Sequence, residues 1–294
     1  MKTVKTIIPF LIVLFLFSAN TGYAQVDTSR VNPAKLFIII TNDGGQFLGT
    51  ILSQDAKEVL IDTRDRGQVS IPKYQIKEMK EIKESELTIG GDYIPAEVFS
   101  SRYFITTNGL PIEKHESYIL WNLWGPDFEF GVGKNFGMGV MSSWFGIPII
   151  GTAKYSIELG EKTSLGLGAL LGSGTWVVPD FGLALPYAAL TFGDRKSNLT
   201  FSGGYGVVFS EGNSEGRALI SVAGMTKIGK KTSLVFDSFI VPSTVENQGF
   251  GLFIPCVRVQ TESKKAFQFG FGALFTKGNF IPVPIPMIQW FRKL

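Results

Sequence analysis

The chain has 294 residues, a formal net charge of +3, 18% charged residues and a mean hydropathy of +0.19. So small a net charge argues against a nucleic-acid-binding protein, which needs a concentrated basic surface. The single cysteine, Cys256, excludes an intrachain disulfide and a cysteine-based zinc site. After the N-terminal segment, no apolar run reaches the ~18 residues that a membrane-spanning helix needs.

The N-terminal segment has the order of a secretory signal peptide. Two lysines precede an apolar run over residues 7–17, and a small-residue site, GYA, ends at Ala24. The apolar run is too short to cross about 30 Å of hydrocarbon as a helix. The sequence therefore predicts a signal peptide over residues 1–24, cleaved after Ala24, and a mature chain that starts in the periplasm.

Residues 25–86 form the next predicted domain. Four short segments, KLFIIIT, QFLGTILS, EVLIDT and QVSIP, read as strands joined by turns such as NDGG at residues 42–45. A charged stretch, KYQIKEMKEIKESE, closes the unit. The Asp43-Gly44 turn and the Phe47-x-Gly49 motif resemble those of a small SH3-like or Sm-like β-barrel.

That resemblance implies a compact β-domain. Sm proteins bind RNA with this fold, but an exported chain meets no RNA there, and no aromatic and basic surface is evident in the sequence. We therefore predict no nucleic-acid partner. The domain is predicted to be a periplasmic module that docks a protein partner through residues 33–86, or a rigid cap under the domain that follows.

Residues 87–116 lack a sustained period and contain Gly90-Gly91, Pro95 and Asn108-Gly109, which are loop signals. Two interpretations stay open: a linker, or a segment folded into the lumen of a barrel. The RYF sequence at residues 102–104 favours the second, because a fully solvated linker has little reason to carry it.

Residues 117–294 read as successive hairpins with an apolar residue at every second position. In LTFSGGYGVVF, Leu199, Phe201 and Tyr205 fall on one face while Thr200 and Ser202 fall on the other, and AFQFGFGALF repeats the pattern. Strands of about nine to twelve residues with this period suit a tilted transmembrane strand. A soluble sandwich would place Lys, Glu and Thr on its polar face rather than Gly and Ser. The predicted fold is all-β, an antiparallel transmembrane β-barrel preceded by the small β-domain.

The spacing of turns predicts about twelve strands. Five short polar connections lie near residues 133–135, 160–163, 194–197, 229–231 and 262–265. Longer connections are predicted near 173–181, 210–215, 241–248 and 276–280. Because outer-membrane barrels have short periplasmic turns and longer outer loops, both termini are predicted to be periplasmic. Ten or fourteen strands stay open if a weak strand is miscounted.

Pro282, Pro284 and Pro286 recur at every second position of the closing segment and would remove backbone donors from one side of a strand. Two interpretations stay open. The stretch is an extended outer loop with the last strand beginning near Pro286, or the barrel wall has a weak seam that opens toward the membrane.

Several predicted strands carry ionisable residues opposite their lipid-facing positions. A charge facing lipid costs about 2–4 kcal/mol near the midplane, so these residues are predicted to line the lumen. They are Glu129, Lys154, Glu158, Arg217, Lys227, Asp237 and Arg258. They would form either a polar pore lining or solute site, or a set of ion pairs that fills the lumen.

Nothing in the sequence selects a catalytic site. His115 is the sole histidine and lies beside Lys114 and Glu116, and no spacing selects Ser101 or Ser117 as a nucleophile. Cys256 reads as a small packed residue. No phosphate loop or metal-ligand cluster appears, so we predict no catalytic, cofactor or metal residues.

The sequence also resembles poorly characterised outer-membrane β-barrels of Gram-negative bacteria that carry a small β-domain ahead of the barrel. The resemblance rests on RYF at residues 102–104, YILWN at 118–122 and FEFGVGKNFGMGV at 128–140. It implies an outer-membrane location with lipid as the surrounding partner. The predicted function is a structural or passive small-solute barrel, and the alternative is an envelope interaction protein anchored by the barrel.

Overall fold

The computed structural model describes residues 35–88, 90–114, 116–244, 248–262, 264–276 and 279–294, without the side chains of residues 85 and 279–284. The predicted signal peptide lies outside these ranges. Within them, no helix has the length and apolarity to cross a membrane. The chain divides into two compact units, of which the first ends at Ile82 and the second runs from Lys83 to Leu294.

The first unit is a five-stranded antiparallel sheet with the order β4-β3-β2-β1-β5. Its strands are β1 (Leu36–Thr41), β2 (Gln46–Gln54), β3 (Glu58–Thr63), β4 (Gly67–Pro72) and β5 (Ile76–Ile82), with a single 3-10 turn at Lys73–Gln75. A second 3-10 turn, Glu84–Glu86, belongs to the second unit. Ile39, Val59, Ile61 and Ile71 form its core.

The sequence predicted four strands in this unit and missed β5. That strand comes from the charged stretch and pairs with β1. As an edge strand, β5 keeps its central residues exposed. Its charges therefore stay solvated, which explains why the stretch lacks the apolar alternation of a half-buried strand.

The second unit contains a closed antiparallel barrel of twelve strands in chain order, with β17 pairing back onto β6. The predicted all-β fold and strand number are confirmed. The strands are β6 (Tyr118–Asn122), β7 (Pro126–Gly131), β8 (Phe136–Ser142), β9 (Ile149–Gly160), β10 (Thr163–Ser173), β11 (Gly182–Gly193), β12 (Ser197–Ser210), β13 (Asn213–Lys227), β14 (Thr232–Val241), β15 (Phe250–Glu262), β16 (Lys265–Thr276) and β17 (Asn279–Lys293).

Side chains alternate across the barrel wall as the sequence predicted. On β12, Phe201 and Tyr205 point outward and are exposed, whereas Thr200 points inward and is buried. On β16, Phe269 is exposed and Gln268 is fully buried. The outer surface is therefore apolar and the interior carries small and polar side chains, because successive residues of a strand face opposite sides.

The connections differ in length between the two ends of the barrel, but less than predicted. The longest connections in the described parts of the barrel, residues 143–148 and 174–181, lie at the end opposite the termini. The predicted long connection at 210–215 is wrong: Ser210 pairs with Asn213, leaving the two-residue turn Glu211-Gly212. Both turn residues have positive φ, 50° and 76°, which suits a tight hairpin and lets the strands continue to the turn.

The closing segment is one strand from Asn279, so its interpretation as a loop is wrong. β6 is short and pairs only with residues 289–293 of β17. Lys293 N–H donates to Lys264 O on the β16 side and Leu294 N–H donates to Ser117 O on the β6 side. Backbone nitrogens of successive residues in a strand point alternately to the two neighbouring strands, so the nitrogen of Pro286 points to the β6 side. At that position β17 has no partner on this side, and the proline therefore removes no hydrogen bond between strands.

Residues 97–112, here called the lumen segment, run inside the barrel rather than along its exterior. Phe99, Tyr103, Phe104 and Asn108 are at most 1% exposed. Of the two interpretations left open for residues 87–116, the structure shows the lumen arrangement for this part.

Candidate functional site

The lumen segment supplies the aromatic side chains that fill the barrel interior. Phe99 packs with Tyr118, Leu120 and Phe291. Tyr103 and Phe104 join a second apolar cluster with inward residues of the strands. Because many inward positions of the wall are small, a separate segment with bulky residues is needed to fill the space.

Gly109 shows how closely the segment approaches the wall. A Cβ atom on Gly109 would lie 2.5 Å from Ser164 O and 2.8 Å from Ala189 O. The backbone N–H of Gly109 donates to Thr191 Oγ1 at 2.7 Å. A larger side chain would force the segment away from β10 and β11.

Arg258, on β15, is fully buried and binds the segment backbone. Its guanidinium donates to the carbonyl oxygens of Phe99 at 2.6 Å, Arg102 at 2.7 Å and Tyr103 at 3.0 Å, and its Nε donates to Gln268 at 2.7 Å. The guanidinium also lies 4.5 Å from the Phe291 ring centroid. The guanidinium is therefore held between the lumen segment and the barrel wall, and it is not exposed to solvent.

Asp237, on β14, binds the next turn of the segment. Its Oδ2 accepts hydrogen bonds from the successive backbone N–H groups of Phe104, Ile105 and Thr106, at 3.1, 2.6 and 2.8 Å. Three amides converging on one carboxylate form an anion-binding nest. The barrel therefore holds one bend of the lumen segment with a cation and the adjacent bend with an anion.

Lys154 and Lys227 complete the anchoring. Lys154 Nζ, on β9, donates to the carbonyl oxygens of Asn108 and Leu110, each at 3.0 Å. Lys227 Nζ, on β13, lies 3.3 Å from Glu97 Oε2, which also accepts a hydrogen bond from Ser233 at 2.5 Å. Both lysines are buried.

Glu97 is charged despite its burial. Burial opposes its ionisation, but the positive charges of Arg258 and Lys227, with hydrogen bonds from Ser233 and Lys227, outweigh it and hold the pKa of Glu97 below its usual value. The start of the lumen segment is thus fixed as an anion between cations of the wall.

Arg102 is the one lumen-segment cation that pairs with carboxylates of the wall. It lies 2.7 Å from Asp127 Oδ2 and 3.7 Å from Glu129 Oε1, both on β7. A buried pair of this kind avoids an uncompensated charge.

The structure separates the seven ionisable residues predicted from the sequence into two sets. Glu129, Lys154, Lys227, Asp237 and Arg258 are buried inside the barrel. Glu158 is exposed near the end of β9, and Arg217, near the far end of β13, pairs with Glu215 at 2.6 Å. The last two do not join the buried set.

Sequence reasoning missed several residues of this site. Asp127, Gln268 and Gln289 are buried inward-facing residues; Gln289 donates to Phe104 O at 2.7 Å. Strand parity could have found them, because each lies opposite an outward aromatic or apolar neighbour. Glu97 and Arg102 carried no such signal, since their segment has no period.

The residues considered for catalysis lie in separate surroundings where the structure describes them. His115 lies outside the described residues. Ser101 is buried, and the Ser117 hydroxyl accepts the N–H of Gly131 at 3.3 Å. Cys256 is a buried free thiol within an apolar cluster. Among the described residues, no group of three or more metal-ligating side chains occurs.

A cavity of about 240 Å³ lies in the lumen above the segment, toward the end opposite the termini. Its walls include Leu170, Leu185, Leu219 and Phe239 from the strands and Ile105 from the lumen segment. Arg102, Glu129 and Lys154 contribute a charged side. The interior is therefore filled at one end and hollow at the other.

Comparison with known proteins finds a structural match and no family. No family model matches the chain, and no curated protein matches it. Among solved structures, a NanC porin in a rhombohedral crystal form is similar to this chain, with 8% sequence identity and a TM-score of 0.40. The match covers 60% of this chain and 95% of the porin chain.

Proposed function

We propose that this chain is an outer-membrane β-barrel that is closed at rest, with the lumen segment blocking passive flow of solutes. Of the predicted alternatives, this is the structural barrel rather than the passive pore. The closed ring of strands with an apolar outer face supports a membrane location, because its strands pair with one another around the ring, apart from the edge of β17 that β6 leaves unpaired, and its outer side chains suit lipid.

One observation carries the proposal. The ionisable residues predicted as a pore lining hold the lumen segment instead: Lys154, Asp237 and Arg258 each make several hydrogen bonds to its backbone. Removing a partner from such a buried charge is costly, so the segment is not displaced without a compensating change.

The test is single-channel conductance of the refolded mature protein in planar bilayers. We expect a folded, heat-modifiable barrel without steady conductance. Arg258→Gln is expected to produce openings, because three carbonyl oxygens of the segment lose their donor. Arg217→Gln removes the same charge from a strand end that does not contact the segment, and it should stay silent. Steady conductance of the unmodified protein would overturn the closed state.

A second function remains as a proposal for the β1–β5 sheet: docking of a periplasmic protein. The exposed side chains on β5 and the exposed Tyr74 support it, since they present charged and aromatic groups to solvent. The assignment of this sheet to the SH3-like class also stays a prediction.

Deleting residues 33–82 tests this second function. The deletion should stop before Glu86, because Glu86 pairs with Lys196 of the barrel unit at 2.6 Å. Unchanged insertion and conductance would support a docking role for the sheet. Altered conductance would instead assign the sheet to gating.

A further inference from the structure

The lumen cavity has a mainly apolar wall. Leu170, Leu185, Leu219 and Phe239 come from four different strands, and Ile105 and Ile112 come from the lumen segment. Water gains few hydrogen bonds in such surroundings, so an apolar occupant is favoured. An open aqueous pore would not need an apolar lining here.

The charged side chains on the cavity wall are already compensated. Arg102 pairs with Asp127 and Glu129, and Lys154 donates to the carbonyl oxygens of Asn108 and Leu110. Arg102, Lys154, Asp127 and Glu129 together carry no net formal charge, so this side of the cavity has no excess charge for a ligand to balance. A charged ligand would therefore be buried without compensation, which disfavours it.

Two hydroxyl groups on neighbouring strands are different. Ser202 on β12 pairs directly with Ser221 on β13, and both residues line the cavity. They form a neutral, hydrogen-bonding patch on a mainly apolar wall. Tyr187 on β11 also lines the cavity, but its hydroxyl lies against Gly168 of β10, on the other side of β11.

The two serine hydroxyls lack partners in the described part of the chain. Ser221 Oγ is buried without a hydrogen-bond partner. Ser202 also makes no side-chain hydrogen bond to any described residue. A buried hydroxyl without a hydrogen-bond partner costs free energy. Such a group is therefore expected to have a functional role or to bind a ligand.

We propose that this cavity binds a small uncharged amphiphile, a chain of about eight carbons with a single hydroxyl, ester or amide group. The chain would lie against the four strand residues, and the polar group would bond to Ser202 and Ser221. The volume is adequate, because a cavity of about 150 Å³ already holds benzene. This inference goes beyond the proposed function and needs only the closed barrel.

The ligand would enter from the end with the longer connections. The lumen segment occupies the other end of the barrel, where Glu97 N–H donates to Arg195 O in the β11–β12 turn at 3.1 Å. Ligand binding and the block to conduction therefore occupy different parts of the same lumen.

The experiment is photolabelling of the refolded full mature protein in lipid nanodiscs with a diazirine derivative of 1-octanol, followed by peptide mapping. We expect saturable labelling of inward residues such as Leu219 and Tyr187, suppressed by excess 1-octanol but not by octanoate. Labelling confined to outward residues such as Phe201 would overturn the site. Equal competition by octanoate would overturn the uncharged class.

Matched variants sharpen the test. Leu170→Trp places bulk in the cavity and should abolish inward labelling, whereas Leu171→Trp, at the adjacent outward position, should leave it unchanged. Ser202→Ala with Ser221→Ala should raise the half-saturating octanol concentration roughly five-fold, as expected for loss of a hydrogen bond. Heat-modifiable migration verifies folding of each variant, and unchanged saturation in the hydroxyl variant would overturn the assigned polar contacts.

Discussion

The carboxylate of Asp237 holds Thr106 at two points: Oδ2 accepts the backbone N–H at 2.8 Å and Oδ1 accepts the side-chain hydroxyl at 2.7 Å. Together with the N–H groups of Phe104 and Ile105, this satisfies four donors of a bend that lies away from water. A loop without regular structure can be buried only when its backbone groups find such partners.

Asp237→Asn should therefore destabilise the barrel. The amide keeps the shape of the side chain but loses the charge and turns an NH₂ group toward backbone donors. We expect a loss of roughly 2–3 kcal/mol in the free energy of unfolding, the scale of hydrogen bonds to a charged group. Urea unfolding of the protein refolded into vesicles measures it. Glu158→Gln, at an exposed position, is the control, and equal stability of the two variants would contradict the nest.

The lumen segment should be protected from reagents. In a Cys256→Ala background, a cysteine introduced at buried Ser101 is expected to react with a maleimide at least about ten times more slowly than one at exposed Lys114, because reaction needs local opening. Adding Arg258→Gln should raise the rate at position 101 and leave position 114 unchanged. Comparable rates at both positions without that change would argue against a buried segment.

Stability should depend on the charge of Glu97. Its pKa is lower in the folded protein than the ordinary value of 4.5, so its contribution is complete above that value and is lost as the pH falls through the folded pKa. Glu97→Gln should be less stable than the unmodified protein at pH 7 and should lose less stability between pH 5 and pH 3. Urea unfolding at both pH values checks this. An unaltered pH dependence in the variant would refute the role of Glu97.

The outer face of the barrel should respond to charge according to depth. Phe201 lies in the interior of β12, four residues from its start, and points outward, so Phe201→Arg should cost about 2–4 kcal/mol in a bilayer. Phe209, next to the end of the same strand, should tolerate Arg with a cost of about 0–1 kcal/mol. Unfolding of both variants from vesicles gives the comparison. Equal costs would contradict a bilayer centred on the strands.

Much of the barrel could be predicted because its signals are local. Alternation on β12 and β16 fixes which face of a strand is apolar, and turn residues fix where strands end. The errors also have local causes. The polar residues of the Glu211-Gly212 hairpin resembled a loop, and Pro286 resembled a strand breaker although it lies where β17 has no strand partner on the β6 side.

By itself the sequence determined the closed antiparallel class, and it predicted a small β-domain ahead of the barrel and the inward direction of Lys154, Asp237 and Arg258. Only the tertiary structure decided what those charges do. The alternation of side chains along a strand shows whether a residue points into the lumen or outward. The partner of a buried charge, however, depends on which residues occupy the space across the lumen. Here that space holds residues 97–112, a segment without periodicity whose position follows from satisfying its backbone groups and the charges of the wall together.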